Sequence, residues 1–194
     1  MTGDPAALVA IVCSRDRPAQ LATCLDALGA RLRPSDDRLV VDSASSDAAA
    51  VASVARSAGF RVVRADQPGL ARARNVGLAA SDAELVAFTD DDCIVAEGWT
   101  ADISAAFADD PQVGFVTGAV RTDRPSRLPI AVTPTGAPPR RFAAGDDPTG
   151  CGHGANMAFR REALDAIGGF DAGLGAGSRL RAAEDTDVFW RLLA

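Results

Sequence analysis

The chain has 194 residues, of which 47% are hydrophobic, 24% charged and 5% aromatic, and its formal net charge at pH 7 is −6. This composition excludes a disordered chain and fits one globular domain with a buried core. The longest apolar runs are only strand-sized, and the first residues lack the basic and apolar regions of a signal peptide, so neither a membrane span nor a leader is expected. An acidic domain is a poor binder of nucleic acid, and no such partner is expected.

The types of side chain narrow the possible chemistry. All 20 basic residues are arginine, tyrosine is absent, and His153 is the single histidine. Without lysine the chain can form neither a P-loop nor a lysine Schiff base. The cysteines are widely spaced, with no CxxC pair that would indicate structural zinc, and reduced thiols fit a cytoplasmic location; they are Cys13, Cys24, Cys93 and Cys151.

Strand and helix patterns alternate along the first two-thirds of the chain. Unbroken apolar runs predict strands that are buried on both faces, and apolar residues at helical spacing predict the helices between them. The predicted strands are 8–13, 38–42, 60–64, 84–88 and 113–120. The predicted helices begin near Pro18, Ser46, Ala71 and Trp99. This alternation predicts a mainly parallel sheet built from βαβ units.

The remainder of the chain is more varied. Residues 121–150 are rich in proline and arginine, which predicts a flexible arm or lid, with a plain surface loop as the alternative. A glycine-rich turn then leads to a short strand within 150–159, a helix at 160–167 and a final helix from about residue 183. We therefore expect one domain over 1–194 with a disordered tail at 1–7. Because the sequence stops inside the last helix, we also expect a truncated C-terminus.

The carboxyl ends of the predicted parallel strands carry acids and hydroxyls, and ligands of such sheets bind at these ends. The first strand is followed by Ser14 and Arg15, the second by Asp42, the third by Asp66 and the fourth by the triplet Asp90-Asp91-Asp92. The first turn lacks the GxGxxG pattern, which disfavours NAD or FAD. This edge of the sheet is therefore the predicted site.

The triplet at residues 90–92 points to a divalent cation. Adjacent carboxylates repel one another unless a cation compensates, and Mg²⁺ typically takes one or two carboxylates together with substrate phosphates. A solvated acidic turn is the alternative. Phosphatases of the haloacid-dehalogenase type and receiver domains also place acids after a strand, but both need a lysine that this chain lacks.

A second acidic pair, Glu184-Asp185, opens the final helix. Acids in the first turn of a helix are commonly there because the helix dipole favours them, which is the simpler interpretation. The same dipole would keep Asp185 ionised, as a general base requires. Arg72 and Arg74, on the third helix, are either solvated helix charges or contacts to a base or phosphate.

Taken together, six segments in this order resemble the family 2 glycosyltransferases, which are inverting enzymes of the GT-A fold. The segments are CSRDRP, VVDSASSD, GLARARNVGLA, FTDDDC, GANMAFRREAL and AEDTDVFWRLL. The resemblance covers residues 8–193. It implies a Rossmann-like α/β domain that transfers a sugar from a UDP-, dTDP- or GDP-linked donor to an acceptor hydroxyl, with Mn²⁺ or Mg²⁺ as cofactor.

The resemblance also implies roles for particular residues. Asp90 and Asp92 would bind the metal, and Asp185 would be the catalytic base. Gly154, Asn156 and Glu184 would lie on the acceptor side. The donor would be held by Ser14, Arg15, Asp42, Arg74, Asp90 and Asp91.

The sequence departs from the family in two places, and two other functions stay open. The histidine that often completes the metal site downstream of the ED motif is absent, and the missing QxxRW motif favours transfer of a single sugar. One alternative is a non-catalytic GT-A-like module that binds a nucleotide sugar or a protein. The other is a sugar nucleotidyltransferase, whose glycine-rich loop and lysine are missing here.

Overall fold

A computed structural model describes residues 7–122 and 138–194 of the chain and shows a six-stranded α/β fold. The strands are β1 (Leu8–Ser14), β2 (Asp37–Ser43), β3 (Arg61–Ala65), β4 (Leu85–Asp90), β5 (Phe115–Thr117) and β6 (Asn156–Arg160). The α-helices are α1 (Pro18–Gly29), α2 (Ala48–Ser57), α3 (Leu70–Ala79), α4 (Trp99–Asp109), α5 (Arg161–Ala166) and α6 (Glu184–Leu192). A 3₁₀ turn lies at Pro148–Gly150.

The strands form a single sheet in the order β3-β2-β1-β4-β6-β5. The first four strands are parallel, and β6 runs antiparallel to both β4 and β5. The predicted mainly parallel sheet is therefore confirmed. Since β1 and β4 lie side by side with Cys13 opposite Asp90, the carboxyl ends of these two strands open on the same edge.

Alternate residues of the central strands pack into two hydrophobic layers, one on each face of the sheet. On one face, Leu8, Ala10 and Val12 of β1 pack with buried residues of α1, α2 and α4. On the other face, Val9 and Ile11 pack with buried residues of α3, α5 and α6. Both α3, with its arginines, and α6, with its acids, therefore lie on one side of the sheet.

The predicted bounds differ from the structure mainly at the edge of the sheet. The fifth strand was expected at 113–120, but β5 spans only Phe115–Thr117 because it pairs with β6 alone. A turn at Val113, whose N–H donates to Asp110 O, precedes the strand. The third strand begins at Arg61 rather than at Phe60, whose ring is instead buried with α1 and α2.

The predicted arm at 121–150 lies partly outside the described residues, as does most of the predicted tail at 1–7. The described part, from residue 138 onward, includes the 3₁₀ turn and Phe142, which packs against the layer that contains α3 and α6. Across 7–122 and 138–194, no helix is long and apolar enough to cross a membrane.

Replacing Gly77 with alanine is expected to lower the free energy of unfolding by about 1–2 kcal/mol. An alanine Cβ would lie 2.8 Å from Ile11 Cγ2 and 3.0 Å from Val41 Cγ2, both in the packed layer under α3. Overpacking of this kind costs about 1–3 kcal/mol, which exceeds the roughly 0.5–1 kcal/mol that alanine gains over glycine within a helix. Urea denaturation measures the difference.

The control is Gly29→Ala in α1, where the nearest atom to the added Cβ is 3.7 Å away, an ordinary contact. This substitution should leave the free energy of unfolding unchanged or raise it. If Gly77→Ala is as stable as the wild type, α3 does not pack on the sheet as closely as described.

Candidate active site

A cleft of about 380 Å³ opens at the carboxyl ends of β1 and β4. Side chains from the turn after β1 form one wall, and those from the turn after β4 form another. Residues at the start of α3 and in the loop before α6 complete it. The lining residues are Cys13, Ser14, Arg15, Arg17, Ser43, Gly69, Leu70, Asp90, Asp91, Asp92, Ala176 and Gly177. The cleft therefore includes the predicted aspartate triplet.

The three aspartates of the triplet point to different partners. Ligand atoms of Asp90, Asp92 and Cys93 all lie within 4.8 Å of one another, close enough to surround one ion. The carboxylate of Asp91 instead accepts a 2.7 Å hydrogen bond from the Ser14 hydroxyl and is buried. Hard divalent cations prefer carboxylate oxygens, so the pair Asp90 and Asp92 fits Mg²⁺ or Mn²⁺.

Burial changes the ionisation of several groups in this cleft. It raises the pKa of Asp90, and the nearby Arg74 guanidinium opposes that change. It also raises the pKa of Asp91, against the effect of the Ser14 hydrogen bond. Burial also raises the pKa of the Cys93 thiol to about 11.

The turn after β1 provides two arginines to the cleft. Arg15, one of the predicted donor-binding residues, has a half-exposed side chain 3.5 Å from Asp16. Arg17 follows the first strand in the sequence but has no assigned role, and its Nη1 lies 3.2 Å from Asp91 and 3.1 Å from Asp92. Its place in the same turn as Ser14 and Arg15 is the signal that could have identified it.

Asp42, at the end of β2, is buried and already hydrogen-bonded. Its Oδ1 accepts from the backbone N–H of Ser45 at 2.9 Å, and its Oδ2 pairs with the Arg64 guanidinium. The carboxylate is thereby fixed at the same edge of the sheet as Ser14, which is its partner in the β1–β2 register.

Arg74 lies at the centre of the predicted site, but it contacts protein groups. Its side chain is only 2% exposed, and its Nη1 lies 2.9 Å from Glu184 Oε1. Its Nη2 donates to Gly154 O at 3.2 Å and lies 3.6 Å from Asp90 Oδ1. The structure thus brings two residues assigned to the donor side, Arg74 and Asp90, together with two assigned to the acceptor side, Gly154 and Glu184.

Asp185 lies in the first turn of α6, next to the glycine-rich turn before β6. Its Oδ2 accepts a 2.8 Å hydrogen bond from the Gly154 N–H, and its Oδ1 accepts one from the Thr186 N–H. Its neighbour Glu184 is buried and points to Arg74. The two acids of the ED pair therefore have different environments. Glu184 is paired with the Arg74 guanidinium, whereas Asp185 accepts hydrogen bonds from backbone N–H groups.

The other predicted acceptor-side residue, Asn156, begins β6. Its side chain accepts a hydrogen bond from the Trp99 indole N–H at 2.9 Å and donates one to Ala119 O. His153 lies in the turn just before it, and the carbonyl of His153 accepts from the Asn156 N–H. Asn156 therefore ties α4 and the segment after β5 to this turn.

The loop before α6 reaches the cleft in a way that the sequence did not indicate. The N–H of Leu70, at the start of α3, donates to Ala176 O at 2.8 Å. A side chain on Gly177 would lie 3.1 Å from Gly69 Cα, and Gly177 has a φ of +85°. Only glycine fits this close approach without strain. The loop at Gly177 completes the cleft beside Asp90–Asp92.

A comparison of the sequence identifies the family. The sequence profile described as "Glycosyl transferase family 2" matches residues 9–168. The chain belongs to glycosyl transferase family 2, and its sheet and flanking helices form the GT-A fold. No curated protein sequence matches the chain.

Solved structures of two proteins are similar in fold. The mannosyltransferase PcManGT from Pyrobaculum calidifontis, in complex with GDP-Man and Mn²⁺, is 23% identical with a TM-score of 0.66; the match covers 96% of this chain and 51% of that one. TarS 1-349 from S. aureus is 18% identical with a TM-score of 0.70, over 96% and 55%. The same fragment in complex with UDP-GlcNAc is 17% identical with a TM-score of 0.68, over 96% and 53%. The chain thus spans about half the length of these structures.

Proposed function

We propose that this chain is a metal-dependent inverting glycosyltransferase that moves a sugar from a nucleoside-diphosphate sugar to an acceptor hydroxyl. The main support is the arrangement of two acidic groups around Arg74. One group, Asp90 with Asp92, lies in the cleft, and the other, Asp185, lies at the start of α6. Separate carboxylates for a cation and for a base are the minimum that this reaction needs.

The donor side of the proposal follows from the cleft. Asp90 and Asp92 would hold Mn²⁺ or Mg²⁺, which when bound neutralises charge on the departing diphosphate. Ser14, Arg15 and Asp42 would contact the nucleoside, since the ends of β1 and β2 lie side by side. The similar structures that contain GDP-Man or UDP-GlcNAc agree with this class of donor.

On the acceptor side, Asp185 would take the proton of the acceptor hydroxyl. The acceptor oxygen then forms a bond to the anomeric carbon while the bond from that carbon to the phosphate oxygen breaks. The electron pair of the broken bond leaves with the nucleoside diphosphate. Attack from the face opposite the leaving group inverts the configuration, so an α-linked donor gives a β-linked product.

One finer point belongs to the same proposal. A cytoplasmic location is proposed because all four cysteines are free thiols, as expected in a reducing compartment.

Calorimetric titration of UDP, dTDP and GDP, each with and without Mn²⁺, tests the donor site. We expect one nucleotide to bind, and to bind more tightly when Mn²⁺ is present. A chain that binds none of the three under either condition contradicts the proposal. A nucleotide that binds while its sugar conjugate is never consumed would instead favour the non-catalytic binding module.

A further inference from the structure

We infer that Arg74 is a positioning residue, which holds the Gly154 peptide so that the N–H of Gly154 keeps Asp185 in place. Arg74 also joins this arrangement to Asp90, on the donor side. The inference rests on the proposed function, because Asp185 and Asp90 are the base and a metal carboxylate of that reaction. It replaces the expectation that Arg74 itself contacts the nucleotide.

The environment of Arg74 indicates that its position is closely determined. Only 2% of its side chain is exposed, and its guanidinium carbon lies 5.8 Å from the centre of the Phe88 ring and 5.4 Å from that of Phe170. A buried cation is costly unless its charge and its N–H groups are satisfied. Arg74 is satisfied by Glu184 and Asp90, so its orientation depends on both acids.

The hydrogen bonds form a continuous path from Arg74 to Asp185. One nitrogen of the guanidinium, Nη1, pairs with Glu184 Oε1, and the other, Nη2, donates to Gly154 O. The N–H of the same Gly154 donates to Asp185 Oδ2 at 2.8 Å. The planar fork of an arginine can serve these acceptors at once, whereas the single ammonium of a lysine cannot match their geometry.

The absence of a side chain at Gly154 is part of this arrangement. A Cβ there would lie 2.7 Å from Arg74 Nη2 and 3.3 Å from Asp185 Oδ2. The space between the arginine and the base is therefore filled by the peptide itself.

Arg74→Lys is the first test, with Arg161→Lys as its matched control. The side chain of Arg161 also donates hydrogen bonds to backbone carbonyls, those of Leu78 and Ala83. Arg161 lies at the opposite end of the sheet, however, where its backbone N–H donates to Glu84 O. The assay follows release of nucleoside diphosphate from GDP-mannose, UDP-N-acetylglucosamine or dTDP-glucose with Mn²⁺.

For Arg74→Lys we expect kcat to fall about 30-fold, while KM for the donor and the Kd of its nucleoside diphosphate change less than about threefold. Arg161→Lys should lower the melting temperature and leave kcat unchanged. If Kd rises tenfold with kcat retained, Arg74 contacts the donor and the inference is wrong. If both variants lose only stability, Arg74 has no role beyond the fold.

Gly154→Ala is the second test, and it keeps the inference testable if Arg74→Lys does not fold. The added methyl group pushes between the guanidinium and Asp185, so kcat should fall without a change in nucleotide Kd. An unchanged kcat would overturn the inference.

The wild-type chain separates failure of the inference from failure of the proposed function. If the wild type neither binds nucleotide with Mn²⁺ nor releases it from any donor, the proposed function is wrong. If the wild type is active and the variants are fully active, only the positioning role of Arg74 is wrong.

Discussion

Replacing Asp185 with asparagine is expected to lower the turnover number for the donor by about 10³-fold, within the 10²–10⁴ range of general-base catalysis. Asparagine is the same size and still accepts the hydrogen bond from the Gly154 N–H, but it cannot take a proton. Binding of the nucleoside diphosphate should change less than about threefold, since Asp185 acts on the acceptor hydroxyl. Steady-state kinetics and calorimetry on the same preparation measure the two quantities.

Asp187→Asn is the control for that variant. It removes the same charge from the same first turn of α6, but Asp187 is paired with Arg191. Its loss should cost some stability and leave the turnover number within about threefold of wild type. If both variants have the turnover number of the wild type, Asp185 is not the general base that takes the proton of the acceptor hydroxyl.

The double variant Asp90→Asn/Asp92→Asn is expected to weaken binding of the nucleoside diphosphate in the presence of Mn²⁺ by about 100-fold, because it removes both anionic ligands that the cation would use. Binding without Mn²⁺ should change little. The melting temperature should also fall, because the amide at position 90 removes a carboxylate that pairs with the buried Arg74 guanidinium.

The matched control is Asp82→Asn/Glu84→Gln, which removes two exposed carboxylates just before β4, at the opposite end of the same strand. It changes the net charge equally and should leave Mn²⁺-dependent binding intact. If the control weakens binding as much as the cleft variant does, the effect is one of overall charge. The assignment of Asp90 and Asp92 as ligands would then be contradicted.

Much of the fold could be predicted because buried parallel strands leave a simple pattern. The runs in β1 and β4 are apolar on both faces, and the acids directly after β4 had to lie at the carboxyl edge of the sheet. The family motifs then predict that Asp185 and Asp90 belong to one site. The predicted length of edge strand β5 is too great because the apolar residues on either side of it resemble strand residues. In the structure, β5 pairs with β6 alone, which limits its length.

What could not be predicted are contacts between residues far apart in the chain. The family resemblance implies that Arg74 contacts the nucleotide. Its burial under Phe170 and its pairing with Glu184, 110 residues away, arise only when α3 and α6 pack on the same face. The approach of Gly177 to Gly69 is another contact that no local pattern encodes.

The anomeric configuration of the first product distinguishes inverting transfer from a nucleotide sugar from the alternatives. The chain is incubated with Mn²⁺ and the α-linked donors GDP-mannose, UDP-N-acetylglucosamine and dTDP-glucose, with water as the acceptor, and ¹H NMR follows the released sugar before it mutarotates. We predict that one donor is consumed and that its sugar appears first as the β-anomer. If the α-anomer appears first, or if no donor is consumed, the chain is not an inverting transferase for these donors.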